Sequence, residues 1–444
     1  MRSSLLLLAC LTLALMSAGE AEAIEPEWNY TTEELMRVSI SADGEYIMGR
    51  SGSKVYIFDK DSSTPLWNYT AGGYVHTAAI SADGEYIAAG SYDNKVYLFD
   101  KDSSTPLWNY TTGDWVYYVA ISADGEYIVA GSKDHKVYLF NRNSSTPLWN
   151  YTTGDGVSRA VISEDGEYIV AGTKEGDDGI ASVYFFEKDS STPLWNRNFS
   201  YKVESVSISA DGMYIAVAAS NTLYFFDKGS SAPLWSYEVS SYEVNSVDIS
   251  ADGEYIAAGS YVWDNRVYLF DKDSSAPFWG YETLNSVSSV AISADGEYIV
   301  AGSWDNRVYL FDKNGSTPLW SYRTEGPVSV SISADGRYIT ASSSGTVYLF
   351  DNNISQNGGD GDGGGSAKEA VCQHGDTKLA DDGFNHCICN NGEWLCTDME
   401  YKEKDDEGNV TVTDAEEDEE GIPTLSVITT MAAVAVMALR RRPE

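Results

Sequence analysis

The sequence predicts an all-β fold, an eight-bladed β-propeller of four-stranded antiparallel blades, from three observations. A Ser-Ala-Asp-Gly-type turn recurs with its aspartate at Asp43, Asp83, Asp124, Asp165, Asp211, Asp252, Asp295 and Asp335. The intervals, about 40 to 46 residues, are those at which four-stranded blades repeat. Within each interval, short runs rich in Val, Ile, Tyr and Trp alternate with tight-turn residues. The ends of the array also complement each other. Glu27 to Thr31 reads as a fourth strand without its first three, and Val347 to Asp351 as a third strand without its fourth.

Taken in order, residues 1–23 read as a secretory signal: Arg2, an apolar run from Leu5 to Met16 too short to span a bilayer, and the small-x-small site Ala21-Glu22-Ala23. Residues 24–353 form the propeller. In the unit around Asp124 the strands are Val119-Ala120-Ile121, Tyr127 to Ala130, Val137 to Phe140 and Leu148 to Tyr151. Polar Ser-rich and Asp-Asn or Asp-His turns separate them. One such unit cannot bury both faces of its sheet, so its stability has to come from neighbours stacked around an axis. The strand near Trp28 is then expected to complete the blade that holds Asp335, placing both termini of the array in one sheet. Residues 354–369 form a Gly- and Asp-rich linker. Residues 370–401 form a small module with Cys372, Cys387, Cys389 and Cys396, and residues 402–421 form an acidic stalk. Residues 422–439 are an apolar run of about 27 Å as a helix, a transmembrane anchor. Residues 440–444, with Arg440, Arg441 and Arg442, are a basic tail that stays cytoplasmic and leaves the propeller outside.

Several stretches resemble known families. Val119 to Gly125, followed by Ala130 to Asp134 and Val137 to Phe140, resembles a WD40 repeat. Phe99, Phe140, Phe270 and Phe311 stand where that repeat has the Trp of its Trp-Asp pair, and its Gly-His is missing, so the hydrogen-bonded tetrad of that family is incomplete. Asp100 to Trp108 resembles the docking motif of quinoprotein-type, PQQ-like propellers. This resemblance implies eight blades, with Trp67, Trp108, Trp149, Trp195, Trp235, Trp279 and Trp320 packed between them. The C-terminal helix and Arg cluster resemble archaeal surface-anchoring signals. The stretch from Phe384 to Tyr401 resembles a pacifastin or von Willebrand C-type module in which aromatic residues replace two cysteines. That likeness implies the disulfides Cys372–Cys389 and Cys387–Cys396. A zinc site is the other use of such a cluster, but Cys387-x-Cys389 is tighter than the usual zinc spacing and an exported compartment favours disulfides.

Composition bounds the function. Lys plus Arg is 29 against 67 Asp plus Glu, a net charge of −38, which argues against nucleic acid or anionic lipid as a partner of the body. The propeller has no cysteine and only two histidines, His76 and His135. No metal or organic cofactor is expected, and no catalytic constellation is recognisable. The blades differ mainly in the loops that gather on one rim: Tyr92-Asp93-Asn94, Lys133-Asp134-His135, Trp263-Asp264-Asn265 and Trp304-Asp305-Asn306, with Tyr74 and Trp115 beside them. Aromatics next to carboxylates and amides suit contact with a protein, a peptide or a glycan. The plainer reading is that Asp-Asn is turn chemistry and the aromatics cap neighbouring blades. Asp100-Lys101-Asp102 offers calcium two carboxylates but reads first as a solvated turn. The expected function is an exported, cell-surface-anchored, non-catalytic binding or scaffold propeller. The alternative is a PQQ-like oxidoreductase or a hydrolase working in the axial channel. Mass mapping of the unreduced chain should find Cys372 joined to Cys389 and Cys387 to Cys396, and any other pairing overturns that assignment.

Overall fold

The computed structural model describes residues 24–239 and 243–353, together with the backbone of three strands, Thr377–Leu379, His386–Asn390 and Glu393–Cys396. The signal segment, the linker, the acidic stalk, the C-terminal apolar run and the basic tail all lie outside the described residues. Among the described residues no helix is long and apolar enough to cross a membrane.

Residues 24–353 fold into eight four-stranded antiparallel sheets. The innermost strands of blades 1 to 8 are Met36–Ile40, Val75–Ile80, Val116–Ile121, Val157–Ile162, Val203–Ile208, Val244–Ile249, Val287–Ile292 and Val328–Ile332. Blade 2 continues through Tyr86–Ser91 and Lys95–Asp100 to an outermost strand, Trp108–Thr111, and the others follow the same plan. Blade 8 takes its outermost strand from the start of the array. Trp28–Thr31 pairs antiparallel with Thr346–Asp351, setting Trp28 opposite Leu349 and Thr31 opposite Thr346. In the separate C-terminal unit the three strands form one sheet, in which the register sets Cys387 opposite Cys396.

The second and third strands supply the core. Their Ile, Val, Leu and Phe side chains are almost fully buried, with Phe58, Phe99, Phe140 and Phe270 among the largest. Each core cluster draws on two adjacent blades; one, for example, joins Val96 and Leu98 of blade 2 to Ile128 and Phe140 of blade 3. A blade alone would leave those faces wet.

Two rings of contacts tie blade to blade. At the periphery, the Trp that opens each outermost strand packs at a tilt against a Phe of the next blade, Trp108 on Phe140 at 5.4 Å between centroids and 34° between planes. Its indole N–H donates to a main-chain carbonyl of that blade, from Trp108 to Arg142 at 2.7 Å. The same pair of contacts recurs at Trp67, Trp149, Trp195, Trp235 and Trp279. Trp320 meets Phe350 and the Asn352 side chain instead of a carbonyl. Trp28, on the closing strand, packs on Phe58 and donates to the Lys60 carbonyl, so the ring is sealed by the same device that builds it.

Nearer the axis, the Ser-Ala-Asp-Gly turns are chained by backbone bonds. The Ala42 N–H donates to the Ala82 carbonyl, Ala82 to Ala123, Ala123 to Glu164, Ala210 to Ala251, Ala251 to Ala294, Ala294 to Ala334, and Ala334 back to Ala42. Only at blade 4 does the chain shift, where Glu164 replaces the alanine and the longer link, 3.4 Å, comes from the Asp165 N–H. Glycine is required in these turns: Gly84 has φ of +71°, and an added Cβ would lie 2.4 Å from the Tyr46 ring of the preceding blade.

Removing residues 24–33 deletes the strand that carries Trp28 and leaves the third strand of blade 8 as an open edge. The truncated chain should melt at lower temperature and aggregate. A melting curve unchanged from that of the full-length chain overturns this account of closure.

Candidate functional site: one rim and the axial ends of the blade junctions

The turns between second and third strands gather with the loops that lead into each first strand, as the sequence predicts. The Tyr92 N–H donates to the Tyr74 carbonyl, Lys133 to Trp115, and Trp304 to Ser286. The carboxylates of these turns are taken up inside the fold. Asp93 accepts the Tyr97 hydroxyl at 2.5 Å, the Lys95 N–H and the Gly72 N–H. Asp264 and Asp305 likewise accept the hydroxyls of Tyr268 and Tyr309. Desolvation, together with these bonds, pushes the tyrosine hydroxyls well above their usual range. The expectation that Asp93, Asp264 and Asp305 serve as rim contacts therefore gives way to turn chemistry. The repeated Asp-x-x-x-Tyr spacing was the signal for it. Asp100 and Asp102 also act within their turn, where Asp100 caps the Asp102 N–H and Asp102 meets Lys101.

The other predicted rim residues fall into two groups on different blades. On blades 2 and 3, Trp115 stacks on Tyr92 at 4.4 Å, Tyr92 on His76 at 5.3 Å, and Tyr74 lies against Tyr92. The Lys133 ammonium sits over the Trp115 ring at 4.3 Å and 3.5 Å from Asp114. This group is self-stacked and cation-capped. His135 stands apart from it in the left-handed turn position, φ +69°, that Asn94 and Asn306 fill elsewhere, and its carbonyl accepts from Thr153. On blades 6 and 7, Trp263 is 77% exposed and Trp304 46%, with Leu284, 84% exposed, in the loop between them. The Leu284 N–H donates to Asp305 and Trp304 meets Tyr261 edge-on, which ties these residues to one stretch of rim, with Trp263 two residues beyond Tyr261 in the chain.

A second set of residues emerges only in the folded ring. In blades 2 to 7 the innermost strand slips by one residue against its neighbour, a β-bulge that projects His76, Tyr117, Ser158, Glu204, Asn245 and Ser288 at the rim end of the strand. One step deeper, the equivalent positions opposite the second strand are Arg37, Thr77, Tyr118, Arg159, Ser205, Ser246, Ser289 and Ser329. At four of them a hydroxyl reaches the next blade and accepts a main-chain N–H that its own edge strand leaves unpaired: Thr77 from Val119, Ser205 from Val247, Ser246 from Val290 and Ser289 from Val330. Below them, Asp248 does the same for the Ile292 N–H and accepts from Ser207. A cavity of about 360 Å³ opens between blades 4 and 5, lined by Arg159, Lys174, Lys202 and Glu204 among others. There Lys202 is ion-paired to Glu204 at 2.6 Å. Among the described residues no group of three His, Cys, Asp or Glu comes together to hold a metal ion.

Two titratable groups in this region have displaced pKa values of opposite consequence. Burial pushes the Asp248 carboxyl up to about 6, although three hydrogen bonds oppose the shift. His76 is held down to about 4 by burial, with Arg50, Arg37 and Arg159 adding to the effect against the Tyr117 carbonyl. That carbonyl can only accept, so the neutral ring carries its proton on Nδ1, 2.8 Å away.

The family described as Outer membrane protein assembly factor BamB, a PQQ-type propeller family, matches residues 51–180 and 133–357. No curated protein matches the chain. Among solved structures, the computationally designed Ika8 protein matches with a TM-score of 0.62 at 13% identity, over 72% of this chain and 97% of that one. At that identity the likeness shows the fold alone.

The displaced groups make opposite pH predictions. The folded chain holds the Asp248 proton more tightly than the unfolded chain, so this group's contribution to stability falls as pH rises from about 4 to 6. The folded chain holds a His76 proton less tightly, so that contribution grows from about pH 4 to 6.5 and is lost as pH falls. Relative to the parent, Asp248→Asn should have its higher Tm at pH 7.5 and His76→Gln at pH 4.5. Parallel melting profiles for all three chains contradict both assignments.

Proposed function

The chain belongs to the PQQ-like propeller family described as Outer membrane protein assembly factor BamB, and from that premise we propose that it is an exported, surface-anchored, non-catalytic propeller that binds another protein. One observation carries the reading. Trp263, Leu284 and Trp304, with Val262 beside Trp263, are exposed apolar side chains in neighbouring loops on the rim of blades 6 and 7, and Trp263 and Leu284 are among the most exposed large apolar residues of the ring. Buried Trp side chains rimmed by polar groups are the usual anchors of protein interfaces, and an exposed patch of this kind marks such a site. The backbone supports the same reading. Trp263 sits at φ +83°, a conformation that a bulky side chain seldom adopts without a compensating use. A family described as an assembly factor suggests protein–protein contact in general.

Export supplies a further argument about orientation. The sequons at Asn29, Asn68, Asn109, Asn150 and Asn198 lie exposed on the outermost strands of blades 8 and 1 to 4. The outermost strands of blades 5, 6 and 7 carry none. Glycans added at these sites would be densest on that side of the ring, although Asn314, in the loop before the outermost strand of blade 7, is a further exposed sequon. Catalysis in the channel is the less favoured reading, because the carboxylates there, Asp248 and Glu204, are each engaged in structural bonds.

Trp263→Ala and Trp304→Ala should leave Tm nearly unchanged, because neither side chain fills core volume. Each should weaken capture of a protein partner on a peptide and protein array probed with residues 24–353, by at least about 1 kcal/mol. If the rings instead pack between blades, each change costs stability on the scale of a core truncation, about 3 to 5 kcal/mol. That outcome, or unaltered array binding by both variants, overturns the proposed surface.

A further inference from the structure

A chain of strongly negative charge gathers three arginines at the axial end of blades 1 and 4. Arg37 and Arg159 occupy equivalent positions on innermost strands, and Arg50 stands directly opposite Arg37 on the second strand of blade 1. In the cross-strand register a directly opposed pair of like charges is unfavourable. The rest of the repeat shows what these arginines displace. At the position of Arg50, the other blades carry Gly90, Gly131, Gly172, Ala218, Gly259, Gly302 and Ser342. At the positions of Arg37 and Arg159, blades 2, 5, 6 and 7 carry a hydroxyl that caps the next blade's N–H. The arginines forgo that bond.

Nor are they neutralised. Among the described residues the arginines in ion pairs are Arg266 and Arg337; the hydrogen-bond acceptors of Arg50 and Arg159 are neutral carbonyls, and the Glu204 carboxylate that the Arg159 charge reaches is already paired with Lys202. Arg50 donates to the Val75 carbonyl at 3.0 Å, and Arg159 to the Glu204 and Ser158 carbonyls at 2.5 and 2.9 Å. The Arg159 guanidinium lies 5.9 Å from the Tyr118 ring centroid. Arg37 has its side chain exposed and, among the described residues, no hydrogen-bond or ion-pair partner of its own. Arg37 faces Arg50 across one hairpin, and the charges of all three arginines bear on His76 of blade 2, between blades 1 and 4. Lys174, over the Tyr117 ring at 3.8 Å, adds a fourth cation at the rim end. Grouping like charges where water is restricted costs free energy unless an opposite charge completes the set.

We infer that Arg37, Arg50 and Arg159 form an oxyanion-binding site at the mouth of the axial channel, taking a ligand that presents two or more carboxylate or phosphate oxygens. Guanidinium groups bind such oxygens in bidentate pairs, and the donors left over from the main-chain bonds are available for them. Tyr118, between the blades that bear the arginines, and the Tyr74 hydroxyl beside Arg50 line the same space. The same chemistry can come from a free multivalent oxyanion or from an acidic segment of polypeptide such as Glu416-Glu417-Asp418-Glu419-Glu420.

The test uses the full chain and titrates inorganic phosphate, citrate and a synthetic peptide of residues 416–420 at constant ionic strength, read by calorimetry and by Tm. Saturable binding of at least one probe, with a rise in Tm over an equal ionic strength of chloride, supports the site, and the probe that binds tightest identifies the source. Arg37→Gln and Arg159→Gln should each weaken that binding about tenfold or more, the scale of a lost charge-assisted bond. Trp263→Ala should leave it unchanged, which separates failure of this site from failure of the rim surface. Arg37→Gln alters a solvent-facing side chain, so it remains informative if the Arg159 variant fails to fold. Absence of saturable binding by all three probes, or equal binding by the parent and Arg37→Gln, overturns the inference.

Discussion

The contact on which the ring depends is the one each outermost-strand tryptophan makes with the following blade. Trp108 illustrates its economy. A single side chain closes the seam between two blades with a tilted aromatic contact on Phe140 and ties the seam's outer edge with an indole bond to Arg142. Aromatic contact alone tolerates sliding, whereas a hydrogen bond fixes register, so the pair together sets both the spacing and the rotation of one blade relative to the next. Repetition of this geometry is what makes the array close. Had the closing strand carried any other residue in place of Trp28, the last seam would differ from all the others, and the chain would leave one weak junction in a structure with no redundancy at that point. The axial chain of alanine bonds plays the complementary part. It holds the inner ends of the blades at main-chain distance, so neither end of a blade can hinge without breaking the other.

With the seams secured at the periphery and by main-chain atoms near the axis, the side chains at the rim end of the innermost strands add further bonds in most blades but are free to vary in some. Those strands are therefore where the repeat loses its regularity. Blades 5, 6 and 7 fill the deeper position with serine, which contributes a structural bond to the next blade. Blades 1, 3 and 4 fill it with Arg37, Tyr118 and Arg159, which do not make that bond. A substitution that surrenders a bond in an otherwise copied framework runs against the direction expected of neutral drift in a self-stabilising repeat. The same reasoning applies to Trp263, which exchanges a relaxed backbone for an exposed indole.

The sequence displays those parts of the molecule that depend on local spacing. The interval between Asp-Gly turns, the alternation within strands and the Asp-to-Trp docking motif each involve residues within one unit, and the closing role of Glu27 to Thr31 follows from counting strands. The aromatic seam was legible for the same reason. The rim was legible only in part: the loops converge as expected, but the fate of Asp93, Asp264 and Asp305 turned on a tyrosine four residues along the strand, a pairing masked because every third strand contains that tyrosine. The arginines could not be grouped at all from sequence. Arg37 and Arg50 face each other across one hairpin, but Arg159 lies over a hundred residues further along and reaches the same end of the ring only through ring order and the one-residue bulge of blade 4. Their only sequence-level trace is that each interrupts a position that most of the other repeats fill with a small residue, Tyr118 of blade 3 being the exception.

The net charge of −38 and a cationic axial cluster impose competing fields on any anion that approaches. The body's charge is spread over an exposed surface, so at physiological ionic strength its repulsion decays within a Debye length of about 8 Å. Arg50 and Arg159 are partly buried and act at contact, where solvent screens them much less, with Arg37 exposed at their edge. Salt therefore weakens the repulsion before it weakens the attraction, and an anion that reaches the mouth is held by a short-range field that the rest of the surface hides from distance. Such an arrangement admits a ligand delivered by local contact, such as one carried by a partner already docked on the rim, more readily than one that must be drawn in from bulk solution.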